Sequence, residues 1–480
     1  MVIALDVGTS SVRAAFYDGG GRAIPGRSHQ VPHPPTLTPD GGVEHDATRL
    51  LEAVSACLDA IHPNHPPEET RAVGVTTFWH GLLGFDGAGR PITPIFTWAD
   101  TRSAREANLL GTALDDEAVH ARTGCHLHSS YWPAKLRWLA RERPTETRRV
   151  ARWGSFGEFL ELSLFGEATT SVSMASGTGL FDQSALSWDA EALAAAEIDD
   201  RRLFRLADRT EPRRGLRAPW AGRWPALRTA SWFPAIGDGA ASNIGSDCVD
   251  PTRIALNVGT SAALRVVTPA PSAAPRGLWR YQVDRRHAIV GGATSEGGNV
   301  YAWCRQVLRL GPDDAVEAAL AAMPPDGHGL TVLPHLAGER SPGWRNARQG
   351  AIAGLGLHTT GVEIVRAALE AVALRLALVY DLLAPHAAPG HAIVASGGAL
   401  GRSRAWTQMI ADAVGHPIAW SAEPEATSRG AAMLALEALG ALPDLTTARQ
   451  PLGETFTPDR AHHARLRDAL ERQRRFDERV

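Results

Sequence analysis

A seven-residue segment beginning Ile-Ala-Leu and ending Val-Gly-Thr occurs twice in this chain of 480 residues. It stands at Ile3–Thr9 (IALDVGT) and again at Ile254–Thr260 (IALNVGT), each time followed by Ser. Its apolar, β-branched run builds a strand, and its Gly-Thr-Ser end is a tight turn whose glycine lets backbone N–H groups approach an anion. Recurrence after half the chain predicts two duplicated domains, each offering one phosphate-binding loop to a shared cleft. The copies differ at one position that matters chemically. The first carries Asp6 and the second Asn257, so one loop alone has a carboxylate able to hold a divalent cation.

The bulk properties agree with two domains of about 200–250 residues each. The boundary falls near residues 246–253, which divides the chain into 1–248 and 249–480. Lys plus Arg number 49 against 52 Asp plus Glu, a net charge of −3, and this balance favours no nucleic-acid or membrane partner. Four scattered cysteines with no CxxC pair fit a reducing, cytoplasmic setting and argue against structural zinc. No signal peptide or spanning helix is read from the sequence. The chain holds a single lysine, Lys135, among 48 arginines. Such a residue either occupies a site where a planar guanidinium will not fit or is a chance survivor at a helix start.

Along the first half, VIALDVG, VRAAFYD and a run ending near Val31 read as a strand meander, with a hairpin turn at Asp18–Gly21. Asp46 is placed to cap a helix over Ala47–Ile61. A Pro-rich break (His62–Pro67) and a strand over Val73–Thr77 follow. Trp188–Ala230 reads as surface helices and loops. From Ile254 the strand, turn and strand pattern begins again, and long helices follow over Glu363–Leu383, Arg404–Val414 and Thr427–Leu439. Ala461–Val480 forms an Arg-rich helix with no evident chemistry.

Four clusters carry chemistry. In Asp6–Arg13 the hydroxyls of Thr9, Ser10 and Ser11, the backbone amides and Arg13 suit phosphate oxygens, and Asp6 suits Mg²⁺. Gly259 and Thr260 repeat that loop. Gly237-Asp238-Gly239 is an ordinary turn when taken alone; shortly before the second phosphate loop, it offers Asp238 as the base that phosphoryl transfer to an alcohol requires. Trp79 and His80, then Trp98, Asp100 and Arg102, with Tyr131 and Lys135 further on, are core or rim residues if taken singly and a polyol pocket if taken together. The glycine-rich strand-to-helix turn at Ser396–Leu400 allows Gly398 and Ala399 to lie close to a flat base. Neither a Walker loop nor a GxGxxG fingerprint is present.

Taken in order, these motifs resemble the FGGY carbohydrate kinases of the actin-like ATPase superfamily. The resemblance rests on DxGTSSxR, Trp98-x-Asp100-x-Arg102, SGTGLFD (Ser176–Asp182), GDGAASNIG (Gly237–Gly245), NVGTS, GGATSEGG (Gly291–Gly298), SGGALGRS (Ser396–Ser403) and EATSRGAA (Glu425–Ala432). It implies an α/β fold of two duplicated actin-like, ribonuclease H-like domains around a central cleft. The first domain would hold the sugar, Mg²⁺ and the base Asp238, and the second would hold ATP. Implied ATP contacts are Thr9, Ser10, Ser11, Arg13, Gly259, Thr260, Gly398 and Ala399; Asp6 goes with Mg²⁺, and Trp79, His80 and Asp100 go with the sugar. FWHGLLGFD, TWADTRS and YWPAKLRWL look most like gluconate kinases. Xylulose kinases typically carry Gln-Met-His-Gly where this chain has Phe78–Gly81, and glycerol kinases carry Arg-Glu at Trp79 and His80. Gluconate to 6-phosphogluconate is therefore the expected reaction, with Arg102 and Lys135 as candidate partners of the carboxylate. The alternatives are a ketose or polyol kinase and a non-catalytic sugar sensor. A homodimer is the expected assembly.

Overall fold

The computed structural model describes residues 1–61, 70–270 and 273–480. The Pro-rich break expected at His62–Pro67 lies outside the described residues.

The first copy of the repeat folds as a central strand. Val2–Val7 pairs antiparallel with Ser11–Tyr17 from Val2↔Tyr17 to Val7↔Val12, and Ala23–Pro32 extends the meander. On its other edge Val2–Val7 runs parallel to Ala72–Thr77. Ser231–Trp232 and Ile236–Gly237 then pair with Ala72–Thr77 in parallel. Both faces of Val2–Val7 are buried, which explains its nearly continuous apolar run where a one-sided strand would alternate. The helix Ala47–Ile61 packs against the neighbouring strands Ser11–Tyr17 and Ala23–Pro32 and turns Leu50, Val54, Cys57 and Leu58 inward. Asp46 caps that helix by accepting from the N–H groups of Thr48 at 2.8 Å and Arg49 at 3.2 Å, as expected of an N-cap aspartate.

The second copy repeats the plan. Arg253–Val258 is antiparallel to Ala262–Pro269 and parallel to Ala392–Ser396 within a seven-stranded sheet. The helix Gly361–Leu383 packs across this sheet. It begins in a reciprocal capping box between Thr360 and Glu363. The Arg404–Val414 helix starts at the Ser403 cap and the Arg-rich terminal helix spans Arg460–Asp477. Between the repeats, Trp132–Glu142 and short strands form a satellite core around Leu82, Phe96, Trp132 and Trp138. None of the described helices is long and apolar enough to cross a membrane.

Sequence order and spatial order diverge at one element. The helix Ala426–Ala438 belongs to the second half of the chain, but Ala431–Leu436 lie in the core of the first domain. A split at 248/249 therefore leaves the first sheet without part of its packing. Glycines explain the docking. A Cβ on Gly430 would lie 1.8 Å from the Ala241 carbonyl oxygen, and one on Gly245 would lie 1.7 Å from that of Ala426. The helices Asp238–Gly245 and Ala426–Ala438 thus cross with backbone against backbone. Arg429, fully buried, locks the crossing by donating to the Gly245 carbonyl at 2.6 Å, Asp247 Oδ1 at 2.7 Å and the Ala448 carbonyl at 2.7 Å. Gly430→Ala is expected to force the helices apart and destabilise the protein by about 1–3 kcal/mol. A thermal unfolding midpoint equal to that of the wild type would contradict this close approach.

Candidate active site

The strand ends bring Asp238 and Trp79 together. Gly237 is the register partner of Thr77, so Asp238 and Trp79 leave adjacent parallel strands at nearly the same level. Asp238 is the first residue of the helix Asp238–Gly245. Its Oδ1 accepts from the N–H of Gly239 at 2.8 Å and of Trp79 at 3.4 Å, which leaves Oδ2 for an acceptor hydroxyl. Burial raises the pKa of Asp238, against the lowering effect of Arg265 and the two backbone donors. The glycines flanking Asp238 are required by Trp79. A Cβ on Gly237 would sit 1.9 Å from the indole, and one on Gly239 would sit 2.6 Å from it. The indole N–H donates to the Ser173 carbonyl at 2.9 Å.

Asp238 opens onto a cavity of about 100 Å³ whose walls include Trp79, His80, Trp98, Arg265, Tyr281 and Arg340. His80 has φ 67°, a left-handed backbone that a non-glycine residue adopts at a cost. Its Nδ1 lies 2.6 Å from the Gly177 carbonyl, so Nδ1 carries the hydrogen. Burial, then the charge of Arg340, hold its pKa well below the ordinary histidine value, and the ring is neutral.

Four residues expected in the sugar pocket, Asp100, Arg102, Lys135 and Tyr131, are absent from the cavity wall. Asp100 accepts from Arg102 Nε at 3.1 Å, and Arg102 also pairs with Glu44 and lies 4.6 Å over the Trp138 ring. This pair is a buried tie between loops, because each side chain satisfies the other. Lys135 is buried and donates to the carbonyls of Ser130 at 2.5 Å and His80 at 3.4 Å. Its pKa is pushed down to about 7 by burial. Neither Arg102 nor Lys135 lines the cavity, which corrects their assignment as carboxylate partners. Tyr131 lies behind the wall, its hydroxyl 2.7 Å from that of Tyr281. Arg265 and Arg340, the cations that do line the cavity, escaped the sequence reading. Arg265 had a visible signal, as a charge within the otherwise apolar strand Ala262–Val267. Arg340 sits in a loop with several other charges and had none.

The two Gly-Thr-Ser loops each fold back onto their glycine, from the residue three on in the first and from the residue two on in the second. Gly8 N–H donates to Ser11 O at 3.0 Å, and Gly259 N–H donates to Ser261 O at 2.9 Å. In the first loop Thr9 and Ser11 are half-buried and Ser10 is exposed. Arg13 is not free, since it pairs with Glu425 at 2.8 Å and donates to Gln30 at 2.6 Å. The second loop opens on a larger cavity of about 540 Å³, lined by Gly259, Thr260, Gly398 and Ala399 together with Asn299 and Trp406. Gly397, at φ 104°, makes this wall possible, because a Cβ there would lie 2.4 Å from the Val258 carbonyl oxygen. Val316, Leu320 and Leu369 add an apolar surface that suits a purine face.

Asp6 lies at the end of its strand, where Ser428 Oγ donates to it at 3.4 Å. Its pKa rises from 3.8 to about 7 through burial, then through the charges of Asp238 and Glu425. An oxygen-only donor set with crowded negative charge fits a hard divalent cation. The folded protein holds this proton up to about pH 7, and the unfolded chain releases it near 3.8. Without a divalent cation, Asp6's contribution to stability therefore falls as pH rises through that window. Asp6→Asn is expected to raise the melting temperature at about pH 8 in a chelator, and to do so less at about pH 5. An equal change at both pH values would contradict the crowding.

Residues 1–245 match the N-terminal domain of the FGGY family of carbohydrate kinases, and residues 254–439 match its C-terminal domain. The chain belongs to the FGGY family. It is 28% identical over 469 residues to the gluconokinase of Bacillus subtilis (strain 168), covering 95% of this chain and 91% of that protein. Among solved structures, a ligand-bound xylulose kinase from Lactobacillus acidophilus superimposes with a TM-score of 0.91 at 26% identity, covering 99% of this chain and 97% of that one. A gluconate kinase from the same organism gives 0.90 at 26% identity over the same shares. The protein is thus a carbohydrate kinase with the two-domain actin-like fold of this family.

Proposed function

We propose that this FGGY kinase transfers the γ-phosphoryl group of ATP to the primary hydroxyl of a sugar acid, with gluconate as the acceptor and 6-phosphogluconate as the product. The observation that carries the reading is the position of Asp238. A carboxylate whose Oδ1 is held by two backbone N–H groups lines a cavity walled by aromatic and cationic side chains. ATP is assigned to the 540 Å³ cavity, its adenosine beside Trp406, Gly398 and Ala399 and its phosphates directed to the Thr9–Ser11 and Gly259–Thr260 loops. The choice of gluconate is supported by the gluconokinase relative and by the two guanidiniums in the cavity wall. The close fit to a xylulose kinase leaves a ketose as the competing acceptor.

In this mechanism Asp238 accepts the proton of the primary hydroxyl as that oxygen bonds to the γ-phosphorus. The bond from the γ-phosphorus to the bridging oxygen breaks, and its electron pair leaves with ADP. The raised pKa of Asp238 makes it a better proton acceptor than an exposed carboxylate. The neutral His80 and the indole N–H of Trp79, fixed by backbone carbonyls, hold the cavity wall still while transfer occurs. Asp6, with Asp238 and Glu425 nearby, would hold Mg²⁺, whose charge would offset that of the phosphates.

Asp238→Asn is nearly isosteric and keeps a group able to accept from the two N–H donors. It is expected to retain ATP affinity within about threefold and to lower kcat by about 10³-fold or more, within the range of general-base effects. Nucleotide titration and a coupled ADP-release assay check both halves. Turnover near the wild-type rate would remove Asp238 as the base.

A further inference from the structure

Arg340 is buried, with 8% of its surface exposed. Its guanidinium lies 5.0 Å over the ring of Trp98 and 6.0 Å from that of Trp344. Its Nε has no hydrogen-bond partner, and no carboxylate among the described residues pairs with it. Apart from Arg265, whose Nε and Nη1 also lack partners, the arginines buried nearby and in the helices are treated differently by the fold. Arg102, Arg209, Arg366, Arg375 and Arg429 each lie against a carboxylate, and Arg280 is held by Gln183. The nearest acid in sequence, Glu339, is turned away to Arg345 and Arg375. An unpaired buried charge is costly, so a folded protein that keeps one in a cavity wall is completed by a ligand of opposite charge.

The charge count of the cavity points the same way. Arg265 and Arg340 line it against a single carboxylate, Asp238, while the imidazole of His80 is neutral. Arg265 belongs to the transfer end. Its Nε would lie 3.3 Å from a Cβ on Gly239, and Asp238 is its closest electrostatic partner. Arg340 lines the same cavity with its guanidinium over the indole of Trp98, a stacking that steadies a planar fork whose edge can form paired N–H bonds.

We infer that Arg340 is the specificity-determining residue that receives the acceptor's carboxylate, with the acceptor's other end, the primary hydroxyl, at Asp238. This assignment rests on the sugar-acid reading above. It explains how a site of this family tells an aldonate from a neutral polyol, through one guanidinium that only an anionic substrate satisfies.

Gluconate and glucitol provide the test, because they share a carbon chain and differ at the carboxylate. Wild type, Arg340→Gln and Arg340→Lys are compared by calorimetric titration with each ligand and by ADP release, with thermal melts in ADP to confirm folding. Wild type is expected to bind gluconate at least about tenfold more tightly than glucitol. Arg340→Gln should erase that preference, raising the gluconate KM by about 10- to 100-fold with a much smaller change in kcat and in the KM for ATP, as for loss of a charged hydrogen bond. Arg340→Lys, which keeps the charge and loses the planar fork, should weaken gluconate by about tenfold. If Arg340→Gln melts normally and keeps its gluconate KM within twofold, the anchor is overturned and the sugar-acid reading stands. Should the glutamine variant lose its fold, an unchanged gluconate KM in Arg340→Lys overturns the anchor equally. A wild-type enzyme that handles glucitol as well as gluconate overturns both.

Discussion

The backbone contact between the helices Asp238–Gly245 and Ala426–Ala438 positions most of the chemistry in this molecule. Gly245 and Gly430 remove the side chains that would separate them, and Arg429 bonds across the junction to Gly245 and Asp247. One of these helices begins with the proposed base. The other begins beside Glu425 and carries Ser428, which reaches Asp6. Asp6 thereby lies within electrostatic reach of two carboxylates from distant parts of the chain, Asp238 and Glu425. Glycine packing of this kind sets distance through backbone rather than side-chain rotamers, so the spacing of the acids is as rigid as the helices themselves. The last quarter of the chain must therefore be in place before the first domain has a complete core or a complete site.

A second theme is the contrast between satisfied and unsatisfied charge. Arg102 and Asp100, Arg366 and Glu370, and Arg209 with Asp284 are buried ion pairs that hold loops and helices together. Lys135 bonds the carbonyls of His80 and Ser130. These groups already have partners and offer nothing to a ligand. Asp6, Asp238, Arg265 and Arg340 are different. Each lies near the meeting point of the two halves, and burial or like charge disfavours the ionised form of Asp6, Asp238 and Arg265. A site organised in this way is destabilised when empty and would be relieved by the cation, phosphate chain and anionic acceptor proposed for it, the balance expected where binding energy is directed to catalysis.

Much of this was legible in the sequence because it depends on local pattern. The duplicated heptapeptide gave both central strands, both Gly-Thr-Ser turns and the position of Asp6, since strand periodicity and turn chemistry are encoded within a few residues. The Asp46 cap and the helices from residues 47 and 404 were readable for the same reason. Side-chain direction was not readable. Arg102 and Lys135 looked like free cations beside the sugar loop, but nothing local reveals that Glu44 and Asp100 claim the first, or that the second is enclosed beneath His80. Arg340 has the opposite history, as one charge among several in an irregular loop, set apart only because no carboxylate among the described residues pairs with it in three dimensions. The docking of the helix Ala426–Ala438 on the first domain was hidden for a similar reason, because a long-range glycine contact leaves only small residues in a helical pattern.

The chemistry itself can be read from the product. Wild-type enzyme incubated with ATP, Mg²⁺ and gluconate can be followed by proton-coupled phosphorus NMR. The account predicts ADP together with a new phosphomonoester resonance split by the two protons of one methylene group, the signature of phosphate on a primary hydroxyl. Inorganic phosphate as the sole new signal, or a phosphomonoester coupled to one methine proton, would contradict it.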